Sequence, residues 1–174
     1  MRIRLRRDWR DDDLDALAAI NADPEVMRYI LDGSVRDRRQ SADNLRRMQW
    51  EWATLGYGRF AIELPETGEL IGWAGLAIPE FLPSVMPAVE VGWRLARSAW
   101  GHGYATEVAA EALRLGFTSC NLDRIISIRH PENDRSARVM EKLGLRFDHE
   151  TVVPGYDQRV AVHAITRDEW KTQQ

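Results

Sequence analysis

The sequence predicts a mixed α/β (α+β) fold over residues 1–174: a central, mostly antiparallel sheet of about seven strands, one parallel strand–helix–strand unit, and flanking helices. Three observations carry this expectation. Short segments rich in β-branched and aromatic residues recur between stretches of helical period. Pro-Glu-Thr-Gly at 65–68 separates two such segments at hairpin spacing. Finally, "AVEVGWRLA" runs through "SAWGHGYATEVAAEAL" to "RIISIRH", a strand, a helix and a buried strand over a length that suits a parallel crossover.

The elements follow in order. "MRIRLRRDW" alternates Ile3 and Leu5 with arginines, the pattern of a strand near a sheet edge with one charged face. The acidic run of "RDDDLDALAAINADPEV" sits at a helix start, where carboxylates cap free N–H groups and favour the dipole; Leu14, Leu17, Ala18 and Ile20 follow at helical spacing. That run therefore reads as structural rather than metal-binding. A basic loop at 31–40 precedes a helix expected from about Ser41 through Leu45, Met48, Trp52 and Leu55 to a stop at Gly56. "GRFAIEL" and "ELIGWAGLAI" form the hairpin, and "PEFLPSVMP" leads to the fourth strand. A helix from about Tyr104 to Phe117 and the fifth strand come next. "PENDRSARVMEKLGLRF" is a capped helix stopped by Gly144, and strands are expected at 145–151 and 159–166. No repeat, linker or low-complexity segment divides the chain, so one domain is expected.

Composition limits the function. The chain is 44% apolar and 29% charged, enough for an ordinary core without staples. A net charge of −3 gives no general attraction to nucleic acid or to anionic membranes, although basic residues cluster in "MRIRLRR" and "SVRDRRQ". The single cysteine, Cys120, excludes an internal disulfide and a cysteine metal cluster, and suits the cytoplasm. The four histidines have no ligand spacing, so no metal is expected. No long apolar run or secretory leader is present in these residues.

The glycine-rich turn at 98–106 is the chemical clue. Such a strand-to-helix turn can serve a nucleotide phosphate, a dinucleotide or coenzyme A, each through bare N–H groups at a helix N-terminus, or it can be a plain tight turn. A phosphate loop requires lysine after glycine, and the two lysines, Lys142 and Lys171, stand elsewhere. A dinucleotide fingerprint requires a third glycine beyond Gly103, which is missing.

Three blocks in order, "GWAGL" at 72–76, "WGHGYATE" at 100–107 and "HPENDRSARVMEKLGLRF" at 130–147, make the chain resemble the Gcn5-related N-acetyltransferase (GNAT) family, in particular its ribosomal-protein N-terminal acetyltransferase (RimJ/RimL-like) branch. The family signature Gln/Arg-x-x-Gly-x-Gly/Ala falls on Trp100 to Ala105, with tryptophan at its first position. The resemblance implies that Gly101, His102, Gly103, Tyr104, Ala105 and Thr106 face the pyrophosphate of acetyl-CoA. For His102 an exposed turn position is an equal alternative. It also implies that Trp93, Arg94 and Leu95 bond the pantetheine arm through their backbone, as an added strand would. Asn133 is expected to bond the same arm, to cap a helix, or to do both.

The implied reaction is transfer of acetyl from acetyl-CoA to a primary amine, either a protein N-terminus or a small molecule. An acyl-CoA-binding sensor with little turnover is the alternative; a homodimer is left open. Glu90 is the candidate base, because a carboxylate inside "AVEVGW" is costly to bury without a purpose; the competing reading is a cross-strand ion pair with an arginine. Many family members protonate the departing thiolate with a tyrosine at the position of Met140, which cannot do so. Ser136 is the alternative donor implied by the branch, or else a local hydrogen-bonder at a helix start. Trp50, Trp52, Trp73, Trp93 and Trp100 are candidates for an acceptor cleft, with Trp52 and Trp73 better suited to the core.

Overall fold

A computed structural model describes residues 2–174. Seven strands form one sheet: β1 (Arg4–Arg6), β2 (Arg59–Glu63), β3 (Leu70–Ala77), β4 (Glu90–Leu95), β5 (Arg124–Arg129), β6 (Arg146–Val153) and β7 (Gln158–Thr166), in the order β1-β2-β3-β4-β5-β7-β6. Every adjacent pair is antiparallel except β4 and β5. The helices are α1 (Leu14–Asn21), α2 (Pro24–Met27), α3 (Arg38–Leu55), α4 (Tyr104–Thr118), α5 (Asp134–Lys142) and α6 (Arg167–Lys171).

The two faces of the sheet are covered by different helices. The apolar stripe of α4, Val108, Ala109, Ala112, Leu113 and Leu115, packs with Leu76, Val91, Leu95 and Ile125. Full burial of each large aliphatic contributes about 1.5–3 kcal/mol. Leu17 of α1 and Leu45 and Met48 of α3 pack on the opposite face with Ala61, Leu70 and Trp73. Consecutive residues of β4 thus meet different helices, as the period of a strand requires.

Three local departures from the sequence reading have physical causes. First, α3 begins at Arg38 rather than near Ser41, because Asp37 accepts from Gln40 N–H while Gln40 Oε1 accepts from Asp37 N–H, a capping box upstream of any apolar periodicity. Second, β1 is an edge strand, but its charged positions are not all solvated. Arg6 is buried between Glu63 (Nε···Oε1, 2.6 Å) and Asp13 (Nη2···Oδ1, 2.7 Å). Asp13 also accepts from Arg10 N–H at 2.8 Å, so the last carboxylate of the acidic run is fully committed to structure. Third, α6 was not expected; Thr166 and Glu169 cap it reciprocally.

Candidate active site

β3 pairs with all six residues of β4, and β7 with all six of β5, whereas β4 and β5 meet in register at Glu90 and Ile126. Ile126 N–H bonds Val89 C=O at 3.0 Å, and Ser127 Oγ donates to Val91 C=O at 2.8 Å. Beyond that point the two strands separate into a V. The facing backbone edges therefore keep donors and acceptors that a continuous sheet would have consumed.

A cleft of about 770 Å³ fills the opening of the V. Its floor is the end of β4, Trp93, Arg94 and Leu95, followed by the turn into α4. Gly101 and Gly103 hold φ of +79° and +81°, values that favour glycine. Gly103 caps α4 without any side-chain hydrogen bond, so the first-turn N–H groups stay free and the positive end of the helix opens on the cleft. A Cβ on Gly101 would meet nothing within 4 Å, which leaves that space for a ligand. The N-terminal segment braces the turn from outside: Arg2 Nη2 donates to His102 C=O at 2.7 Å, and its guanidinium lies 5.1 Å from the Tyr104 ring centre.

The opposite wall is α5. Arg135, Arg138 and Lys142 line the cleft at helical spacing, giving it a positive side. The Arg135 guanidinium lies 4.4 Å from the ring centre of Trp100, while Trp100 Nε1 donates to Leu95 C=O at 3.0 Å. Glu25, Val26, Arg28, Tyr29 and Ile30, in and just after α2, close the remaining side.

A splayed parallel pair, a glycine turn into a helix N-terminus and a basic wall suit a phosphorylated thioester carrier. Residues 2–146 match the family model described as an acetyltransferase (GNAT) domain. The chain belongs to the GNAT acetyltransferase family. It is 31% identical over 147 residues to the uncharacterized N-acetyltransferase p20 of Bacillus licheniformis, covering 84% of this chain and 80% of that protein. Among solved structures, an acetyltransferase from Agrobacterium tumefaciens superposes with a TM-score of 0.79 at 27% identity, over 94% of this chain and 90% of that one. RimJ of Mycobacterium smegmatis, solved in complex with CoA-disulfide, superposes with a TM-score of 0.75 at 25% identity, over 96% and 83%.

Within this GNAT enzyme, most of the residues singled out from the sequence converge. Trp93, Arg94, Leu95, Gly101, Gly103, Tyr104, Ala105, Thr106, Asn133 and Ser136 all line the one cleft. Asn133 caps α5, its Oδ1 accepting from Ser136 N–H at 3.2 Å, which leaves the Nδ2 hydrogens uncommitted. Since the cap uses the backbone of Ser136, the Ser136 hydroxyl is not part of it. Met140 is 1% exposed in the core. His102 stands outside the cleft, exposed and stacked on Tyr104 at 5.3 Å.

Glu90 also stands outside the cleft lining, at the apex of the V. It forms no ion pair among the described residues; its partner across β3 is Ala77, and Arg59, two strands away on β2, is held by Glu51 through two bonds of 3.0 and 2.6 Å. Burial pushes the Glu90 carboxyl up to about 7, reinforced by Glu51 and partly offset by Arg59. Of the tryptophans, Trp93 and Trp100 line the cleft, Trp73 is in the core and Trp52 packs against it, and Trp50 is 44% exposed, away from the cleft. Sequence reading missed the α2 wall and the basic face of α5. The spacing of Arg135, Arg138 and Lys142 was a legible signal for the latter.

Proposed function

We propose that this enzyme transfers acetyl from acetyl-CoA to a primary amine by direct attack of the amine on the thioester. The observation that carries this reading is the opening of the β4–β5 V, with its free backbone edges, onto the uncapped N-terminus of α4. An extended amide-bearing arm suits the first, and a pyrophosphate suits the second. Arg135, drawn over Trp100, supplies a cation beside the position where the family signature carries arginine or glutamine. Asn133 Nδ2 is the further donor to the pantetheine arm.

The chemistry asks for a neutral amine, a stabilised oxyanion and a proton for the thiolate. An α-amine near pKa 7.8 is about one-seventh neutral at pH 7, against roughly four parts in ten thousand for a lysine, a difference of about 3.5 kcal/mol. A weakly basic amine thus needs little help. In this proposal Glu90, near pKa 7 and behind the apex of the V, takes the ammonium proton through water. The amine nitrogen bonds the carbonyl carbon, a β4 N–H meets the oxyanion, the C–S bond breaks, and the second proton lost by that nitrogen replaces the one that the Ser136 hydroxyl passes to the leaving sulfur, giving amide and free thiol. The likeness to RimJ supports the ribosomal-protein N-terminal acetyltransferase branch. Met140, buried where many relatives hold a proton donor, favours the second reading, an acyl-CoA sensor with little turnover.

Thiol release from acetyl-CoA across a panel of N-terminal peptides and small amines tests the proposal. Amine-dependent release supports transfer. Tight coenzyme binding with no release across the panel supports the sensor.

A further inference from the structure

Glu90, Gly92 and Arg94 alternate onto the face of β4 away from α4, toward α1 and α3. Arg94 stands cross-strand from Trp73, with its guanidinium 5.2 Å from the Trp73 ring centre. Its one protein hydrogen bond runs from Nη1 to Asn21 Oδ1 at 2.9 Å, and Asn21 Nδ2 is itself used on Ser41 Oγ at 3.0 Å. Among the described residues two donors there have no partner, Arg94 Nε and Trp73 Nε1, and both atoms are buried.

The neighbouring arginines are treated differently. Arg59 is neutralised by Glu51, and Arg97 by Asp23 at 3.1 Å. Arg94 has no carboxylate partner among the described residues. Burial, with the like charges of Arg36 and Arg59 behind it, presses its guanidinium down to about 9. Arg94 is half-buried, and a cation taken even partly out of water without a counter-ion is costly, a cost that an anionic ligand would offset. The arginine fork suits a carboxylate in particular. Arg94 also lines the cleft beside Trp93, so its anion would arrive with whatever occupies that cleft.

The coenzyme phosphates are poorly placed to be that anion. They belong to the turn at 101–106 and the wall of α5, whereas α4 packs on the Val91 and Leu95 face of β4, opposite the Arg94 side chain. We propose that Arg94, backed by Trp73, anchors a carboxylate on the acceptor, so that the substrates are amines carrying an acidic group. This inference rests on the acetyl-transfer reading of the cleft. Two sources share that chemistry: a free amino acid, or the acidic side chain at a peptide N-terminus. A polyamine would meet Arg94 and Arg36 as repulsion.

Calorimetry on the CoA-saturated enzyme reads acceptor binding apart from turnover. The probes are β-alanine, γ-aminobutyrate and δ-aminovalerate against their primary amides, glutamyl-alanine amide against glutaminyl-alanine amide, and putrescine. The expected result is at least one acid bound about tenfold or more tightly than its amide, with the preference lost in Arg94→Gln and partly kept in Arg94→Lys. Preference among the amino acids identifies the free carboxylate as the source, and preference between the peptides identifies the side chain. Equal or absent binding of every acid and its amide overturns the proposal, as does a preference that survives Arg94→Gln. Should Arg94→Gln fail to fold, the wild-type comparison and Arg94→Lys decide. Acid preference without acetyl transfer to any probe would sink the transferase reading and leave the anchor standing.

Discussion

Glu90 pairs with Ile126 at the point where β4 and β5 part, so the carboxylate nearest the apex of the V is also one that burial makes hard to ionise. Its folded pKa, about 7, lies above its unfolded value near 4.5. The folded chain therefore holds this proton more tightly: the stability it contributes is full below about pH 4.5 and is lost as pH rises through 7, by at most about 3 kcal/mol. Glu90→Gln should raise the melting temperature relative to wild type at pH 8.5 and have little effect at pH 4.5. Equal shifts at both pH values would show that the carboxylate is not strained.

The same substitution bears on catalysis. A base near pKa 7 gives an acylation rate that climbs through neutral pH and levels above it. Glu90→Gln should flatten that limb and leave CoA affinity unchanged; a pH–rate profile identical to wild type would remove Glu90 from the mechanism.

Gly101 and Gly103 hold left-handed backbone; a Cβ on Gly101 would face open space, and one on Gly103 would meet Arg2 Nη2 at 3.6 Å. Gly103→Val is expected to cost about 1–2 kcal/mol of stability from backbone strain and to abolish measurable CoA binding by distorting the turn and pushing Arg2 from it. Gly101→Ala should weaken CoA about tenfold or more, at a stability cost of about 1 kcal/mol. Calorimetry on folded variants that bind CoA as wild type does would place the pyrophosphate elsewhere.

Asn133 and Ser136 can be separated because the cap joins Asn133 Oδ1 to a backbone N–H. Asn133→Asp should keep the cap and its stability but weaken CoA through loss of the Nδ2 donor, whereas Asn133→Ala should also lose about 1 kcal/mol. Ser136→Ala leaves the cap intact, so its melting temperature should stay near wild type while the single-turnover rate falls about tenfold or more. Full activity in that variant would exclude the hydroxyl from thiolate protonation.

The Arg6, Asp13 and Glu63 cluster gives a prediction independent of chemistry. Arg6→Ala leaves buried Asp13 without its cation and Glu63 with only Arg4 at 3.8 Å, and should cost about 3–5 kcal/mol in urea unfolding. A loss below about 1 kcal/mol would mean that the cluster is solvated.

Legibility in the sequence tracked how local each signal was. The turn at 98–106 could be read because two glycines and the helical period that follows are consecutive facts. Glu90 could be suspected because a carboxylate inside an apolar strand has few inexpensive explanations. The roles of Arg6 and Arg94, and the seating of Arg135 over Trp100, could not be read, since each depends on partners more than thirty residues away or on the absence of one: Glu63, Asn21 and Trp100. The start of α3 was misplaced by reliance on apolar period where Asp37 and Gln40 carry the signal through polar capping.

Transfer itself is tested most directly by a single turnover: enzyme in excess over acetyl-CoA is mixed with an amine acceptor, and the acceptor is weighed by mass spectrometry. The account predicts one acetyl group on the amine for each thiol released, with release dependent on the amine and lost in Gly103→Val. Coenzyme bound in the cleft while every acceptor emerges unmodified would contradict it.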